Sequence, residues 1–199
     1  MPARDPFAEL KAALDRPGRP SSDYDLNPGV ALAPGRILRP AAVLVPVLAT
    51  PMGARLILTK RASHLAHHPG QIAFPGGKID AADTDAADCA LREAGEEIGL
   101  DRANAEILGA FEPHETVTGF SVTPVLCRVL AAFDPRPQPD EVAEVFSVPL
   151  AHVLDPGLYR VERRRWRGVW RQYYAVPYGP YYIWGATARI LRALADRMG

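Results

Sequence analysis

Three carboxylates crowd one short stretch of the chain. In "REAGEEIG", Arg92 to Gly99, the residues Glu93, Glu96 and Glu97 fall within five positions, with Gly95 among them. A glycine inside a helix costs about 1 kcal/mol relative to alanine, and neighbouring carboxylates repel, so the pattern needs a compensating use. At roughly 100° per residue the three glutamates share about a third of the helix circumference. Ala87, Leu91, Ala94, Gly95 and Ile98 fall on the other side, which is the predicted packing face, with Gly95 admitting a close neighbour. Arg92 precedes Glu96 by four positions and can pair with it. Gathered carboxylates suit hard cations such as Mg²⁺ or Mn²⁺, which serve phosphate substrates by neutralising charge and activating water. A solvated acidic face is the alternative.

The preceding "FPGGKID" sets Gly76 and Gly77 before the helix, where backbone can approach a metal or a phosphate closely. Pro75 stiffens the entry, and Asp80 and Asp83 add carboxylates. The segment lacks the Gly-Lys-Ser/Thr ending of a P-loop. His64, His67 and His68 lie close together but have no second ligand cluster, which favours structural or substrate-facing roles over zinc. His114 and Glu115, beside Thr116, Thr118 and Gly119, either line a pocket or cap a loop.

Elements must hold these groups in place. Residues 6–15 suit a short helix, followed by a breaker-rich arm. Strands are predicted at 41–49 and 54–59, joined by a turn at Pro51–Gly53. The acidic helix is predicted to start near Asp83 or Thr84 and to run to Ile98, with Gly99 as its stop. "AEILGAFEP", "SVTPVLCRVL" and "EVFSVPL" read as further strands. "YRVERRRWRGVWRQYYAV" reads as two strands about a turn near Arg167 and Gly168, and the end "IWGATARILRALADRM" as a helix. The order predicts one mixed-sheet α/β domain, residues 37–199, behind an N-terminal helix and connecting arm, residues 1–36.

Composition narrows the classes. The 199 residues are 48% hydrophobic, with formal net charge +0, so no global field draws the chain to nucleic acid or anionic lipid. The six arginines and two tryptophans of "RVERRRWRGVWR" then read as a hairpin with a basic solvent face, though such a face can attract a polyphosphate. Cys89 and Cys127 give no disulfide framework and read as small buried residues. With no secretory-type apolar core at the N-terminus and no apolar run near ~20 residues, a cytoplasmic protein is expected.

Loop and helix together resemble the Nudix box. In that pattern a glycine and an acidic residue precede Arg-Glu, an apolar residue, any residue, Glu-Glu, any residue and Gly. Arg92, Glu93, Ala94, Glu96, Glu97 and Gly99 fit its second half. In the first half Asp83 stands where the box has glutamate, and its spacer to Arg92 is one residue longer. Upstream, Leu58, Thr59, Arg61, Ala62, Gly70, Phe74, Pro75, Gly76 and Gly77 resemble the segment that marks the coenzyme A pyrophosphatase branch. The longer spacer, "HETVTGF" and "IWGATARIL" are also similar to that branch. Its signature has an arginine where this chain has Ala66. Lys60, Arg61, His64, His67 and His68 are the nearby groups able to compensate.

The resemblance implies an α/β/α sandwich that hydrolyses a nucleoside diphosphate linked to another moiety, coenzyme A or a derivative first among them. The products would be 3′,5′-ADP and 4′-phosphopantetheine or its acyl form. It implies Mg²⁺ or Mn²⁺ held by Glu93 and Glu97, with Glu96 sharing, and by the carbonyl of Gly77. Arg92 would orient a glutamate. Lys60, Arg61, Phe74, Gly76 and His114 are the candidates for substrate contact, and the general base stays open among Glu96, Glu97, Glu115 and Glu144. Another Nudix substrate (a nucleoside triphosphate, ADP-ribose or a dinucleotide) would keep the same helix, and a non-catalytic module would be expected to lose box carboxylates. No nucleic-acid or membrane partner is expected, and a homodimer stays open.

Overall fold

The computed structural model describes residues 5–30, 32, 35–65, 68–166 and 168–199. In chain order the elements are α1 (Pro6–Leu14), β1 (Ser21–Ser22), β2 (Arg39–Thr50), β3 (Gly53–Arg61), β4 (Ile72–Ala73), β5 (Gly76–Lys78) and α2 (Ala86–Ile98). They continue as β6 (Ala105–Ala110), β7 (His114–Glu115), β8 (Phe120–Val129), β9 (Val142–Pro149), α3 (Leu150–Val153), β10 (Arg160–Trp166), β11 (Val169–Ala175) and α4 (Ala186–Met198). Nine strands form one mixed sheet ordered β1-β7-β8-β2-β3-β4, with β5 on β2, β6 on β8 and β9 on β3, while β10 and β11 pair separately. No described helix is long and apolar enough to cross a membrane.

The central strands are apolar at successive positions because both faces of the sheet are covered. Successive side chains alternate between faces. Ala42, Leu44, Ile57, Val125 and Cys127 pack under α2 with Ala90, Ala94 and Ile98. Val45, Val47, Leu56, Leu58 and Leu126 pack on the other side with Phe7 and Leu10 of α1 and Leu191 and Leu194 of α4. The result is the α/β/α layering expected from the sequence. The N-terminal helix is built into that second layer, and β1 pairs parallel with β7 at Ser21↔His114.

Strand β2 changes partner midway. Residues 41–43 pair with β5, Leu44 N–H reaches the carbonyl of Pro75 at 2.8 Å, and pairing with β3 begins only at Val47. Pro46 lies in the gap, on the edge where the next N–H would point, so its missing donor leaves no bond unmade. The strands β4 and β5 lie in the glycine- and proline-containing stretch before α2. At two and three residues they leave no periodic signal, and they exist through pairing with β3 and β2.

Helix α2 starts two to three residues later than expected, capped by Asp85, whose carboxylate accepts from Asp88 N–H at 2.8 Å, and it stops at Gly99 with φ +70°. There Gly99 N–H bonds Gly95 O and Leu100 N–H bonds Ala94 O, a glycine-terminated helix end. Its buried residues are Cys89, Ala90, Ala94, Glu97 and Ile98. This corrects the expected packing face. Gly95 is exposed, and a Cβ there would meet only Leu100 O at 3.6 Å, whereas Glu97 is turned inward.

Candidate active site

Glycine strand β5 runs against α2, and the two glycines serve different neighbours. Gly76 N–H donates to Oε2 of Glu97 at 3.1 Å, and a Cβ at Gly76 would stand 2.4 Å from Ala42 O. A Cβ at Gly77 would stand 2.3 Å from Oε1 of Glu93. The β2 backbone leaves no room for a side chain at Gly76, and the Glu93 carboxylate fills the place of one at Gly77. The Cys89 thiol, buried in the same layer, donates to Lys78 O at 3.2 Å, and burial pushes it up to about 11.

Arg92 ties the site together. Its Nε and Nη2 grip both oxygens of Asp83 at 2.9 and 3.0 Å, a bidentate pairing. Its Nη1 reaches Glu93 at 3.0 Å and Glu96 at 3.2 Å. Arg92, followed by the N–H of Asp80, holds the Asp83 carboxyl well below its usual range. Asp83, which departs from the box glutamate, is therefore the residue that anchors its arginine.

The three glutamates differ in environment. The side chain of Glu96 is 62% exposed. Glu93 is half-buried and raised by burial against the pull of Arg92, with Glu96 and Glu141 pushing the same way. Glu97 is 4% exposed and is pushed up to about 8, first by burial, then by Glu93 and Glu141; the Gly76 N–H and the charge of Arg61 act against this. Burial and like charges both disfavour ionisation, so the pair gives up its protons readily only where a cation offsets the charge.

Glu141 is a member of the site that sequence reasoning missed. Gln138 N–H bonds Glu97 O at 2.9 Å, Ala62 N–H bonds Glu141 O at 2.9 Å, and His64 Nε2 meets Asp140 O at 3.2 Å. These bonds stitch the 138–142 loop between the end of α2 and the end of β3. Locally "PDEVAE" looks like any acidic loop before a strand, so only the fold brings Glu141 to Glu93 and Glu97.

Among the expected substrate contacts, Arg61 shares the α2-side parity of Ile57 and its charge opposes the rise of Glu97. Lys60 shares the parity of Leu58, on the face opposite Arg61, exposed and across from Glu144. Phe74 is corrected, since it is 4% exposed within the core cluster containing Ile72, Val176 and Ile183. Gly76 acts through its N–H on Glu97. His114 is corrected as well: it is fully buried and bonds Ser21 Oγ at 2.9 Å and Asp23 Oδ1 at 3.2 Å, so it fastens the N-terminal arm. Glu115 pairs with Arg36 and Glu144 accepts from the Tyr181 hydroxyl, which engages both as candidate bases. Ala66, His67 and Arg167 lie outside the described residues.

Among the described residues no three of His, Cys, Asp and Glu form a ready-made metal cage. Glu93, Glu97 and the backbone of β5 offer a partial oxygen set instead. That fits Mg²⁺-like ions, which keep waters and take substrate phosphates together with one or two carboxylates.

Comparison with known proteins identifies the family. Residues 38–167 match the NUDIX domain family. Two relatives bearing the name Uncharacterized Nudix hydrolase NudL, from Salmonella paratyphi B and Salmonella newport, are each 43% identical over 161 residues, spanning 81% of this chain and 83% of theirs. The crystal structure of a Nudix hydrolase from M. smegmatis, RenU, is similar with a TM-score of 0.50 and 25% identity, covering 60% of this chain and 78% of that one. Nudix hydrolases generally use divalent metals. By the family match and by its relatives, the chain belongs to the Nudix hydrolase family.

Proposed function

We propose that this hydrolase is a Mg²⁺- or Mn²⁺-dependent diphosphatase that cleaves coenzyme A or its derivatives to 3′,5′-ADP and 4′-phosphopantetheine or the acyl form. The observation that carries the diphosphatase reading is the pairing of Glu93 with Glu97 over the bare backbone of Gly76 and Gly77. A divalent cation bound there neutralises diphosphate charge and lowers the pKa of a coordinated water. Glu93, Glu97 and the Gly77 carbonyl would hold it, with Glu96 assisting from the exposed side.

The remaining residues divide the work. Arg92, fixed by Asp83, orients Glu93 and Glu96. Arg61 has no ion-pair partner among the described residues and supplies positive charge for the diphosphate. Glu141 is exposed and has no side-chain hydrogen bond or ion pair among the described residues. It is the carboxylate assigned to take the proton of the attacking water.

The coenzyme A end of the reading rests on the segment from Leu58 to Gly77 and on the spacer between Asp83 and Arg92. Two buried free thiols, Cys89 and Cys127, suit a reducing cytoplasm. Turnover of coenzyme A, ADP-ribose, a dinucleotide and nucleoside triphosphates, measured side by side with Mg²⁺ and Mn²⁺, tests the proposal. The highest kcat/KM is expected for coenzyme A. A higher value for any other substrate overturns the substrate, and no metal-dependent hydrolysis of any overturns the diphosphatase reading.

A further inference from the structure

Two motifs have no part in this chemistry: the arginine-rich β10–β11 ribbon and the "IWG" that precedes α4. The structure joins them. Segment 176–183 folds back so that Val176 N–H bonds Ile183 O at 2.8 Å and Gly185 N–H bonds Tyr174 O at 3.1 Å. This brings Trp184 beside β11. Tyr173 meets Trp184 edge-on with centroids 5.1 Å apart, and Tyr182 lies 6.4 Å from Trp184 at a 33° tilt. The Tyr173 and Tyr182 hydroxyls are 3.2 Å apart, Tyr182 donates to Glu162, and the Arg164 guanidinium lies 4.8 Å from the Trp184 ring centre. Tyr182 is 40% exposed, Arg164 is exposed, and Tyr173 and Trp184 are half-buried.

Short contacts connect the segment behind the cluster to the end of β3, where Arg61 lies. A Cβ at Gly185 would be 3.6 Å from Gln71 Nε2, and Thr187 Oγ1 donates to Ile72 O at 3.0 Å. Gln71 O in turn accepts from Arg61 N–H at 3.0 Å. The path from Glu97 through Arg61 and Gln71 to Trp184 runs outward from the metal helix to three aromatic rings.

We propose that Tyr173, Tyr182 and Trp184 receive the purine nucleoside end of the substrate, with Arg164 meeting its 3′-phosphate. The inference rests on the diphosphatase reading for where the diphosphate lies. Its chemistry is that of the cluster. Aromatic rings stack on a base, the Glu162 carboxylate and the tyrosine hydroxyls accept from an exocyclic amine, and a guanidinium pairs with phosphate. A pantetheine chain offers no flat ring and no second charge for these groups.

Calorimetric binding of adenosine 3′,5′-bisphosphate, AMP and pantetheine to the intact protein tests this apart from turnover. Trp184→Leu should weaken both nucleotides by about tenfold, while Trp184→Phe retains most of the affinity and guards against a folding defect. Arg164→Ala, at an exposed position, should weaken adenosine 3′,5′-bisphosphate several-fold and leave AMP unchanged. Trp170→Leu, whose ring is stacked by Arg163 elsewhere on the ribbon, should change neither. Unchanged nucleotide affinity in Trp184→Leu overturns the inference even if coenzyme A is hydrolysed, and so does a loss confined to pantetheine. Weakened nucleotide binding in an enzyme that turns over no diphosphate sinks the function reading and leaves the nucleoside surface standing.

Discussion

The carboxylate of Glu93 occupies the space that a side chain on Gly77 would need, with Oε1 2.3 Å from the position of its Cβ. Gly77→Ala should therefore displace a proposed metal ligand without touching the core. Turnover is expected to fall ~10–100-fold, with a matching rise in the Mg²⁺ needed for half-maximal rate and little change in Tm. A metal titration of the variant checks this.

Gly76→Ala should behave differently. Its Cβ would press on Ala42 O and Val43 Cα, at 2.4 and 2.6 Å, both backbone atoms that cannot step aside. A loss of about 2–4 kcal/mol is expected, read as a lowered urea midpoint, together with lost activity as Glu97 loses its N–H donor.

Glu97 makes the metal-free protein pH-sensitive. Its carboxyl is raised from 4.5 to about 8, so between those values the folded chain holds a proton that the unfolded chain has released. Stability without metal is then greatest at low pH in this window and declines as pH rises through about 8. Thermal melts of the metal-free protein should show that decline. Glu97→Gln should flatten it and lower turnover at least ~100-fold while the fold persists. Near-wild-type activity in this variant would remove Glu97 from the metal site.

Asp83 and Asp80 both face Arg92, at 2.9 and 3.7 Å, but only Asp83 grips it with two oxygens. Asp83→Asn should cost about tenfold in turnover or metal affinity, whereas Asp80→Asn should cost less than twofold. Equal effects would mean that the loop acts through its charge alone.

His114→Ala should cost stability and leave chemistry alone. It removes a fully buried ring and strands Ser21 and Asp23, a loss of about 2–3 kcal/mol. Below the lowered Tm, KM for the best substrate should stay at its wild-type value, and a raised KM would return His114 to the substrate.

The presence of α2, the β2–β3 hairpin and the terminal helix was legible because each carries a period, a cap or a turn within its own sequence, though both helices start two or three residues later than expected. The facing of α2 was less so. Angular counting grouped Glu97 with the exposed glutamates and Gly95 with the core, because a helical wheel shows which residues share a side but not where the sheet lies against it. Glu141 was hidden for another reason: its neighbours are reached through strand pairing across more than forty residues of chain. Phe74 and His114 stood in motifs that suggested contact with substrate, and burial is a property of the packed layers that no local pattern reports.

Pro46 of β2 separates two registers. Because β5 is aligned only on residues 41–43 and β3 only from Val47 onward, the glycine strip beneath α2 is not threaded through the alignment of the hairpin before it. Residues added or lost between Ala62 and Gly70 would leave the strip in place under Glu93 and Glu97, whereas the stretch from Lys78 to Ala86 has to keep Asp83 on Arg92. The fold thus lets selectivity vary at its entrance while the hydrolytic platform stays in one place.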